Sequence, residues 1–417
     1  MTETNPSSNP IRVVIIGASV AGSPVALKLV QSFTNSQVHV TVIDKRGYYY
    51  YTPASVRALV DKDMAPNVFV PLDHLFDGAK YDKSSHPHHQ LIHGTVSRVE
   101  TGHVYVEETE TSYPYDYLVV ATGTVFNSPY HHDQETDKTK WVARAHGFTD
   151  KLREAKRVVV VGGGATGVET AGDIKHAFPD KHVTLVHNGD LLLTPDSPDK
   201  FRQRLTRRTK EFGIDLILGD KLNFDPTTDV ASSETPLPLT LQTYTTAKGK
   251  SLEADFVISA IGGRVYTEFM APLLVSVAGD RDDPSAGGEL VVAGKGTLRV
   301  LPTLQMAHDR LAHVFVVGDA NDFPCVKTAF RSGFQGGVAA QNLVALIKQR
   351  LTGSTKPIKL APYKDSLNAM LVTLGPKAGV ALLPFGIMAG DWVVSKVKGA
   401  DMLLGKAWGG VGATYPK

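Results

Sequence analysis

Two hydrophobic patterns alternate along this chain. Largely apolar runs that end at glycine occupy residues 11–17 and 117–123, and such runs are typical of buried strands in a parallel sheet. Residues 22–33 have instead the periodicity of a helix with an apolar face. The same order of apolar run and periodic segment starts again at Arg157, and its last apolar run lies at residues 255–262. The pattern therefore predicts an α/β protein in which a strand–helix–strand unit occurs twice.

The remaining elements are predicted from the same patterns. Short apolar runs indicate strands, and a longer periodic segment indicates a helix. The expected elements are a strand at 38–43 followed by Asp44, paired strands over 91–106 around the turn at Thr101-Gly102, a strand at 314–319, a helix from about Thr328 to Leu351, an exposed Gly- and Asp-rich connection at 275–298, and a small mixed domain from about Ala361.

The composition narrows the class of protein. The 417 residues are 42% hydrophobic and 21% charged, which describes a globular α/β chain long enough for two or three domains. The net charge of +2 gives no general electrostatic reason to expect a nucleic-acid partner. Cys325 is the single cysteine, so an intrachain disulfide is impossible and a reducing compartment is expected.

The N-terminus and the hydropathy bear on the location of the chain. The first ten residues lack the apolar stretch of a signal peptide, and threonine follows Met1 where myristoylation needs glycine. No uncharged apolar run reaches the length of a membrane span. A cytoplasmic location is expected, and peripheral contact with a membrane or organelle surface stays open.

The first strand–helix turn carries an incomplete dinucleotide fingerprint. Gly17 and Gly22 have the spacing of G-x-G-x-x-G, but Ser19 replaces the middle glycine. The Ser19 hydroxyl can donate to a phosphate oxygen. Asp44, at the end of the next strand, is placed to accept a hydrogen bond from a ribose hydroxyl.

The second turn carries a complete fingerprint. Gly162 allows the tight turn, Gly164 lets the backbone approach a pyrophosphate, and Gly167 allows the helix to pack closely on the strand. The phosphates would sit at the helix N-terminus, where free N–H groups and the helix dipole favour anions. The following strand ends in His187-Asn188 without an acid, so NADH and NADPH are both plausible.

Three further segments, taken with the two fingerprints, resemble a known family. Residues 115–123, 255–262 and 317–319 follow in the order found in flavoproteins with two dinucleotide-binding domains, the family that includes glutathione reductase. The resemblance spans roughly residues 11–345. It implies two Rossmann-like domains, with FAD bound by the first and NAD(P)H by the second, and a small C-terminal α+β domain. The implied FAD-binding domain is discontinuous (10–125 and 295–350), the NAD(P)H-binding domain covers 126–294, and the C-terminal domain covers 351–417.

The same resemblance assigns candidate binding residues. Asp319 corresponds to the family acid that binds the ribityl chain of FAD. The candidates for FAD are Gly17, Ser19, Ala21, Gly22, Asp44, Lys45, Arg57, Val96, Ala121, Thr122, Gly123, Asp319 and Lys327, and those for NAD(P)H are Gly162, Gly164, Thr166, Gly167, His187 and Gly262.

The redox cysteine pair of the family's disulfide reductases is missing. Tyr48-Tyr49-Tyr50-Tyr51-Thr52-Pro53 stands in its place, which leaves direct transfer of electrons from flavin to an acceptor. The segments 51–57, 324–333, 374–380 and 405–408 are similar to the apoptosis-inducing-factor-homologous branch, which includes the ferroptosis suppressors, and in part to type II NADH:quinone dehydrogenases. This resemblance implies NAD(P)H:quinone reduction, although the myristoylation glycine is absent.

Two residues are candidates for a catalytic role. Lys327 is expected at the start of the helix that points at the flavin, where its charge and the helix dipole would stabilise the negative charge of the reduced ring. A solvated surface lysine is the alternative. Glu169 resembles the family glutamate near nicotinamide and flavin, and the alternative is an acid that stabilises the first helical turn.

Several interpretations stay open. The acceptor could instead be a ferredoxin or monodehydroascorbate, or the chain could be a redox-sensing interaction protein. The tyrosine run could stack on flavin or quinone or could simply pack. Residues 378–402 could lie on a bilayer, cover the flavin domain or form a dimer interface, and the oligomeric state is undetermined. No metal site is expected at His86, His88, His89 and His93, because Pro87 interrupts them and no cysteine accompanies them.

Overall fold

The computed structural model describes residues 9–76, 89–126, 129, 137–225, 240–278, 290–365 and 369–416. Their strands are β1 (Ile11–Ile16), β2 (Val38–Asp44), β3 (Tyr48–Tyr50), β4 (Phe69–Pro71), β5 (Gln90–His93), β6 (Val96–Glu100), β7 (His103–Val106), β8 (Ser112–Pro114), β9 (Tyr117–Val120), β10 (Thr124–Val125), β11 (Arg157–Val161), β12 (His182–His187), β13 (Asp215–Leu218), β14 (Leu222–Asn223), β15 (Gln242–Thr246), β16 (Ser251–Ala254), β17 (Phe256–Ser259), β18 (Arg264–Val265), β19 (Val314–Val316), β20 (Met370–Leu374), β21 (Ala378–Leu382) and β22 (Met388–Ala389). The α-helices are α1 (Gly22–Ser32), α2 (Thr52–Ala58), α3 (Lys138–Glu154), α4 (Ala165–Ala177), α5 (Asp199–Glu211), α6 (Ala271–Ala278), α7 (Ala329–Thr352), α8 (Asp391–Val394) and α9 (Leu404–Gly409).

The first apolar run forms the centre of a parallel sheet. The strand order is β19-β9-β1-β2-β5, and Ile15 of β1 pairs with Val42 on one side and Val119 on the other. The side chains of β1 are buried apart from that of Arg12, because helices and loops cover both faces of the sheet. The predicted strands at 11–17, 38–43, 117–123 and 314–319 are therefore confirmed.

The second apolar run forms an equivalent sheet. Its order is β13-β12-β11-β17, all parallel, and α4 follows β11 as α1 follows β1. A small antiparallel sheet, β14-β15-β16, leads into β17. The repeated strand–helix–strand unit predicted from the sequence is confirmed at this level, and the fold is of the mixed α/β class.

Two predicted segments need correction. The paired strands expected over 91–106 exist only as β6 and β7, whereas β5 pairs in parallel with β2 at the edge of the first sheet. The exposed connection expected over 275–298 begins inside helix α6, because Leu273 and Val277 supply a buried apolar face. Residues 279–289 of that connection lie outside the described residues.

Helix α7 follows the prediction closely. Thr328 caps it by accepting a hydrogen bond from the Arg331 N–H, and Gly353 ends it in the left-handed conformation. The helix packs against α1. An added Cβ on Gly336 would lie 2.2 Å from the Ala21 carbonyl oxygen, so glycine is required at this crossing.

The C-terminal tail, residues 353–365 and 369–416 of the described chain, contains both strands and helices. Strands β20, β21 and β22 form an antiparallel sheet that packs on α4 and α5, and a π-helical turn at Ser395–Gly399 follows α8. Trp408 Nε1 donates to the Asn67 carbonyl and Tyr49 Oη donates to the Ala407 carbonyl, so the tail also contacts the first unit. Within the described ranges, no helix is long and apolar enough to span a membrane.

Candidate functional site

One cleft, of about 360 Å³, brings together most residues predicted for the flavin side of the site. It lies at the carboxyl ends of β1 and β9, where ligands bind in open α/β sheets. The predicted residues on its lining are Gly17, Ser19, Ala21, Asp44, Ala121, Thr122, Gly123, Thr166, Glu169, Asp319 and Lys327.

The first glycine turn is shaped by backbone contacts. Gly17 has a φ of +95°, and an added Cβ would lie 2.5 Å from the Ala121 carbonyl oxygen. A Cβ on Gly22 would lie 1.9 Å from the Gly17 carbonyl oxygen. Only glycine therefore fits at these two positions, and the turn opens onto the cleft at the start of α1.

Asp44 joins the end of β2 to the glycine turn. Its Oδ2 accepts from the Ala18 N–H at 2.9 Å and its Oδ1 accepts from the Arg46 N–H at 3.1 Å. Burial raises the pKa of Asp44, and the nearby Arg46 charge partly opposes that rise. The carboxylate thus lines the cleft in a fixed orientation, which suits acceptance of ribose hydroxyls.

At the other end of the cleft Asp319 and Lys327 approach the start of α7. Thr124 Oγ1 donates to Asp319 Oδ2 at 3.0 Å, and Lys327 Nζ donates to the carbonyl oxygen and Oδ1 of Asn321 at 2.8 and 2.9 Å. Burial raises the pKa of Asp319 and lowers that of Lys327. Lys327 is an exposed residue whose ammonium group is held beside the cleft by fixed acceptors.

Glu169 lies in the cleft wall in a buried ion pair that the sequence did not suggest. Its Oε1 accepts from Lys398 Nζ at 2.5 Å and from the Thr373 N–H at 2.9 Å. Lys398 also lines the cleft. The pairing joins α4 to the tail across 229 residues of sequence, a separation at which no local pattern could have indicated it.

Arg57 lies elsewhere than expected. It is buried behind the cleft, where Nε donates to Asp173 Oδ1 at 3.1 Å and Nη1 donates to the Gly399 carbonyl. It is not among the lining residues of the cleft. Burial raises the pKa of Asp173 to about 6, although the Arg57 charge opposes this. The structure therefore gives Arg57 a partner within the protein in place of the expected cofactor contact.

The second glycine turn joins the end of β11 to the start of α4. Gly162 has a φ of +115°, and the Gly163 N–H donates to His187 Nδ1 at 3.1 Å. An added Cβ on Gly167 would lie 1.8 Å from the Gly162 carbonyl oxygen, whereas a Cβ on Gly164 meets nothing within 4 Å. The open space at Gly164 and the free N–H groups at the start of α4 fit a pyrophosphate. The N–H groups at the start of α1, beside the first glycine turn, fit one in the same way.

Some predicted residues lie off the cleft, and some residues on it were missed. Lys45 follows β2, Val96 begins β6 and is buried, and Gly262 is exposed beyond β17. His86 and His88 lie outside the described residues, and the described part of the chain holds no cluster of metal-binding side chains. The cleft residues not predicted include Arg46, Val56, Thr124, Phe126, Phe330, Met370, Leu371, Lys398 and Leu403.

The tyrosine run is packed in the interior and also borders the cleft. Tyr49, Tyr50 and Tyr51 line the cleft, and all three are largely buried in the core. Tyr50 also packs edge-on against Phe69 and Trp141, with ring centroids 5.4 and 5.1 Å apart. The run therefore packs the interior and also supplies part of the cleft wall.

The sequence of this chain is similar to those of known oxidoreductases and of two groups of named relatives. A family model described as "Pyridine nucleotide-disulphide oxidoreductase" matches residues 11–333. Apoptosis-inducing factor homolog B of Dictyostelium discoideum is 26% identical over 408 residues, covering 95% of this chain and 96% of the relative. Ferroptosis suppressor protein 1 of Xenopus tropicalis is 28% identical over 411 residues, covering 98% and 97%.

Solved structures share the fold. The sulfide:quinone oxidoreductase of Aquifex aeolicus superposes with a TM-score of 0.66 at 16% identity, covering 96% of this chain and 92% of that one. At this identity the likeness concerns the fold.

Proposed function

Because this chain belongs to the pyridine nucleotide-disulphide oxidoreductase family, we propose that it passes electrons from NAD(P)H by way of FAD to a quinone-type acceptor. Family membership makes the chain an oxidoreductase with FAD and NAD(P)H as cofactors. The observation that carries the proposal is that Asp44, Asp319 and Lys327 line the same cleft as Glu169 of α4. Disulfide exchange is excluded, since Cys325 has no second cysteine in the sequence.

The two parallel sheets support a division of the binding work. We assign FAD to residues 10–125 and 295–350, whose strands form the first sheet, and NAD(P)H to residues 126–294, whose strands form the second. Residues 351–417 complete the cleft wall. When bound, FAD supplies the ring that accepts hydride from the nicotinamide. Asp44 and the Gly17 turn would hold its adenosine and phosphates, and Asp319 would hold the ribityl chain.

The wall of the cleft supports an apolar, planar acceptor. Met370 and Leu371 of β20 face it together with Leu403, and Phe126 and Phe330 stand at other points of the lining. These side chains suit a quinone ring better than a protein partner, which would need an exposed and charged contact face. The Lys398–Glu169 pair adds a titratable group on the same wall, and reduction of a quinone consumes protons.

The tail also supports peripheral contact with a bilayer. Phe385, at the turn between β21 and β22, is fully exposed, and Ile387 and Trp392 are 59% and 76% exposed. Arg204 of α5 donates to the Met388 carbonyl beside this turn, so a cation borders the apolar tip. Apolar side chains with basic neighbours are the combination that binds anionic lipid surfaces. Such contact would place the cleft near a lipid-soluble quinone.

The test begins with the first half of the reaction. We expect the protein reconstituted with FAD to be yellow and to bleach when NADH or NADPH is added without oxygen. Turnover with ubiquinone analogues should then exceed turnover with ferredoxin or monodehydroascorbate. Absence of flavin absorbance after reconstitution would contradict the cofactor assignment. Slow turnover with every acceptor, together with a long-lived charge-transfer band, would favour redox sensing.

A further inference from the structure

A backbone turn in the tail is strained where it meets the cleft. Met402 and Leu403 have φ angles of +54° and +67°, so two consecutive residues that are not glycine adopt the left-handed conformation. A Cβ atom makes this conformation unfavourable, and glycine, asparagine or aspartate is the usual occupant. Such strain persists only where the surrounding structure imposes it.

The side chain of Asp401 holds the turn in this conformation. Its Oδ1 accepts from the Leu403 N–H and its Oδ2 accepts from the Gly405 N–H, both at 2.9 Å. The Asp401 carbonyl oxygen accepts from the Leu404 N–H at 3.0 Å, where α9 begins. One residue therefore satisfies three successive backbone donors, and these bonds fix the direction in which the two strained residues project.

The two strained side chains have different surroundings. Met402 is fully buried, and its Sδ lies 3.8 Å from Thr373 Oγ1. Leu403 is only partly buried and lines the cleft. Packing in the core explains why an apolar side chain is present at Met402. At Leu403 part of the apolar surface is left for a ligand in the cleft.

The same turn also carries the cation of the cleft wall. The Met402 N–H donates to the Lys398 carbonyl oxygen at 2.9 Å, and the side chains of Lys398 and Leu403 both line the cleft. The turn thus supplies an ammonium group and an apolar side chain to one wall. Together they fit a planar apolar ring that has a carbonyl oxygen at its edge.

We propose that Leu403 determines the specificity for the electron acceptor, because the strained turn held by Asp401 presents this side chain to a quinone ring and so favours planar apolar acceptors over small ionic ones. The inference rests on the proposed function in taking a quinone to bind at this wall. Glycine would allow the same backbone without strain, but it would remove the apolar surface.

The experiment measures quinone binding without turnover. Oxidised, FAD-loaded protein is titrated with a short-chain ubiquinone analogue in the absence of NAD(P)H, and flavin fluorescence reports the dissociation constant. Leu403→Gly should raise this constant by about fivefold or more, because the apolar contact with the ring is lost. Its thermal midpoint should fall by less than about 3 °C, because relief of the strain offsets the lost packing.

Two further variants test the cause. Leu403→Met keeps an apolar side chain and should bind the quinone within about twofold of the unsubstituted protein. Glu110→Gly relieves an exposed left-handed residue, with a φ of +51°, that is not among the lining residues of the cleft. It should leave the dissociation constant unchanged.

A second acceptor tests specificity in turnover. Ferricyanide is a small anion that gains nothing from an apolar wall, so its KM should be the same in Leu403→Gly and in the unsubstituted protein. The KM for the ubiquinone analogue should rise by about fivefold or more. The rate at which NADH or NADPH reduces the flavin should not change, since that step precedes acceptor binding.

The outcomes separate this inference from the proposed function. The role of Leu403 is overturned if Leu403→Gly binds the quinone as the unsubstituted protein does, or if Leu403→Met binds it as weakly as Leu403→Gly. It is also overturned if the thermal midpoint of Leu403→Gly falls by more than about 3 °C, or if the unsubstituted protein binds no quinone. Failure of NADH and NADPH to bleach the flavin of the unsubstituted protein counts against the proposed function instead.

Discussion

Single charged residues decide the electrostatics of the cleft. Lys327 keeps its ammonium group beside the cleft because Asn321 supplies two acceptors, and Asp319 lies near enough to favour the charged form. The N-terminus of α7 follows directly and adds the positive end of a helix dipole. Both features favour the negative charge that a flavin ring gains on reduction.

Replacing Lys327 should therefore lower the reduction potential of the bound flavin. In Lys327→Met we expect a fall of at least about 30 mV, which for a two-electron couple corresponds to about 1.4 kcal/mol. Reduction by NAD(P)H should slow accordingly. Spectroelectrochemical titration measures the potential, and Lys295→Met, which removes an exposed neighbouring lysine, is the matched control. Equal potentials in the unsubstituted protein and Lys327→Met would show that the lysine does not act on the flavin.

The strand–helix turn is the element to which the proposed function assigns nucleotide binding. In the second turn Gly167 lies against the Gly162 carbonyl, whereas Gly164 faces open space at the start of α4. The two glycines of this fingerprint therefore have different roles. Gly167 allows the helix to pack closely, and Gly164 leaves the backbone accessible to a ligand.

Alanine substitutions should separate these two roles. Gly167→Ala should reduce the free energy of unfolding by about 3 kcal/mol or more, because its Cβ overlaps backbone that cannot move away. Gly164→Ala should leave thermal stability unchanged and weaken NAD(P)⁺ binding by about tenfold or more. Denaturant titration and calorimetry measure the two effects. If the Gly164→Ala protein binds nucleotide normally, the open space does not receive the pyrophosphate.

The elements with strong local patterns were predictable, and those defined by distant contacts were not. Helix α7 carries its own cap and periodicity, so its bounds could be read from the sequence. Strand β5 was mispaired because a short apolar run does not specify its neighbour. Lys398 could not be predicted as a cleft residue, because its partner Glu169 is far away in sequence. Arg57 was predicted to contact the cofactor, because nothing in the sequence indicated that Asp173 would be buried and paired with it.

At the scale of the whole molecule, one buried contact ties three parts of the chain together. Arg57 belongs to α2 of the first unit, Asp173 to α4 of the second, and Gly399 to the tail. The Arg57 and Asp173 side chains are 6% and 1% exposed. Breaking such a pair by removing one partner leaves a buried charge uncompensated, which is strongly destabilising.

Asp173 should give the stability of the protein an unusual pH dependence. Its pKa is raised from 3.8 to about 6 by burial, so the native state binds the proton more tightly than the unfolded chain does. The stabilisation from this group is present below about pH 4 and is lost as the pH rises through 6, a change of up to about 3 kcal/mol.

Asp173→Asn removes the titrating group and supplies the comparison. The difference in unfolding free energy between the unsubstituted protein and this variant should change over pH 4–6, as measured by denaturant titration at each pH. A constant difference across that range would mean that Asp173 titrates normally. The exposed Asp215→Asn, on β13, should produce no such change.

The exposed tip of the tail gives a further prediction for the assembled protein. Phe385→Ser combined with Trp392→Ser should reduce co-sedimentation with anionic phospholipid vesicles by about tenfold or more, because each of these exposed apolar side chains contributes about 1 kcal/mol or more on entering a bilayer. Leu241→Ser removes an exposed apolar residue elsewhere and is the control. Equal sedimentation of the double variant and the unsubstituted protein would exclude the tip as a lipid contact, and a change in oligomeric state instead would assign it to a dimer.

The position of the tail in the chain sets an order of assembly. Both parallel sheets are complete by β19, whereas Met370, Lys398 and Leu403 close the cleft wall and are synthesised later. A nascent chain that has reached α7 therefore holds a flavin cradle open on one side. Since the tail then covers that side, we expect FAD supplied during translation to load more readily than FAD added to the folded protein.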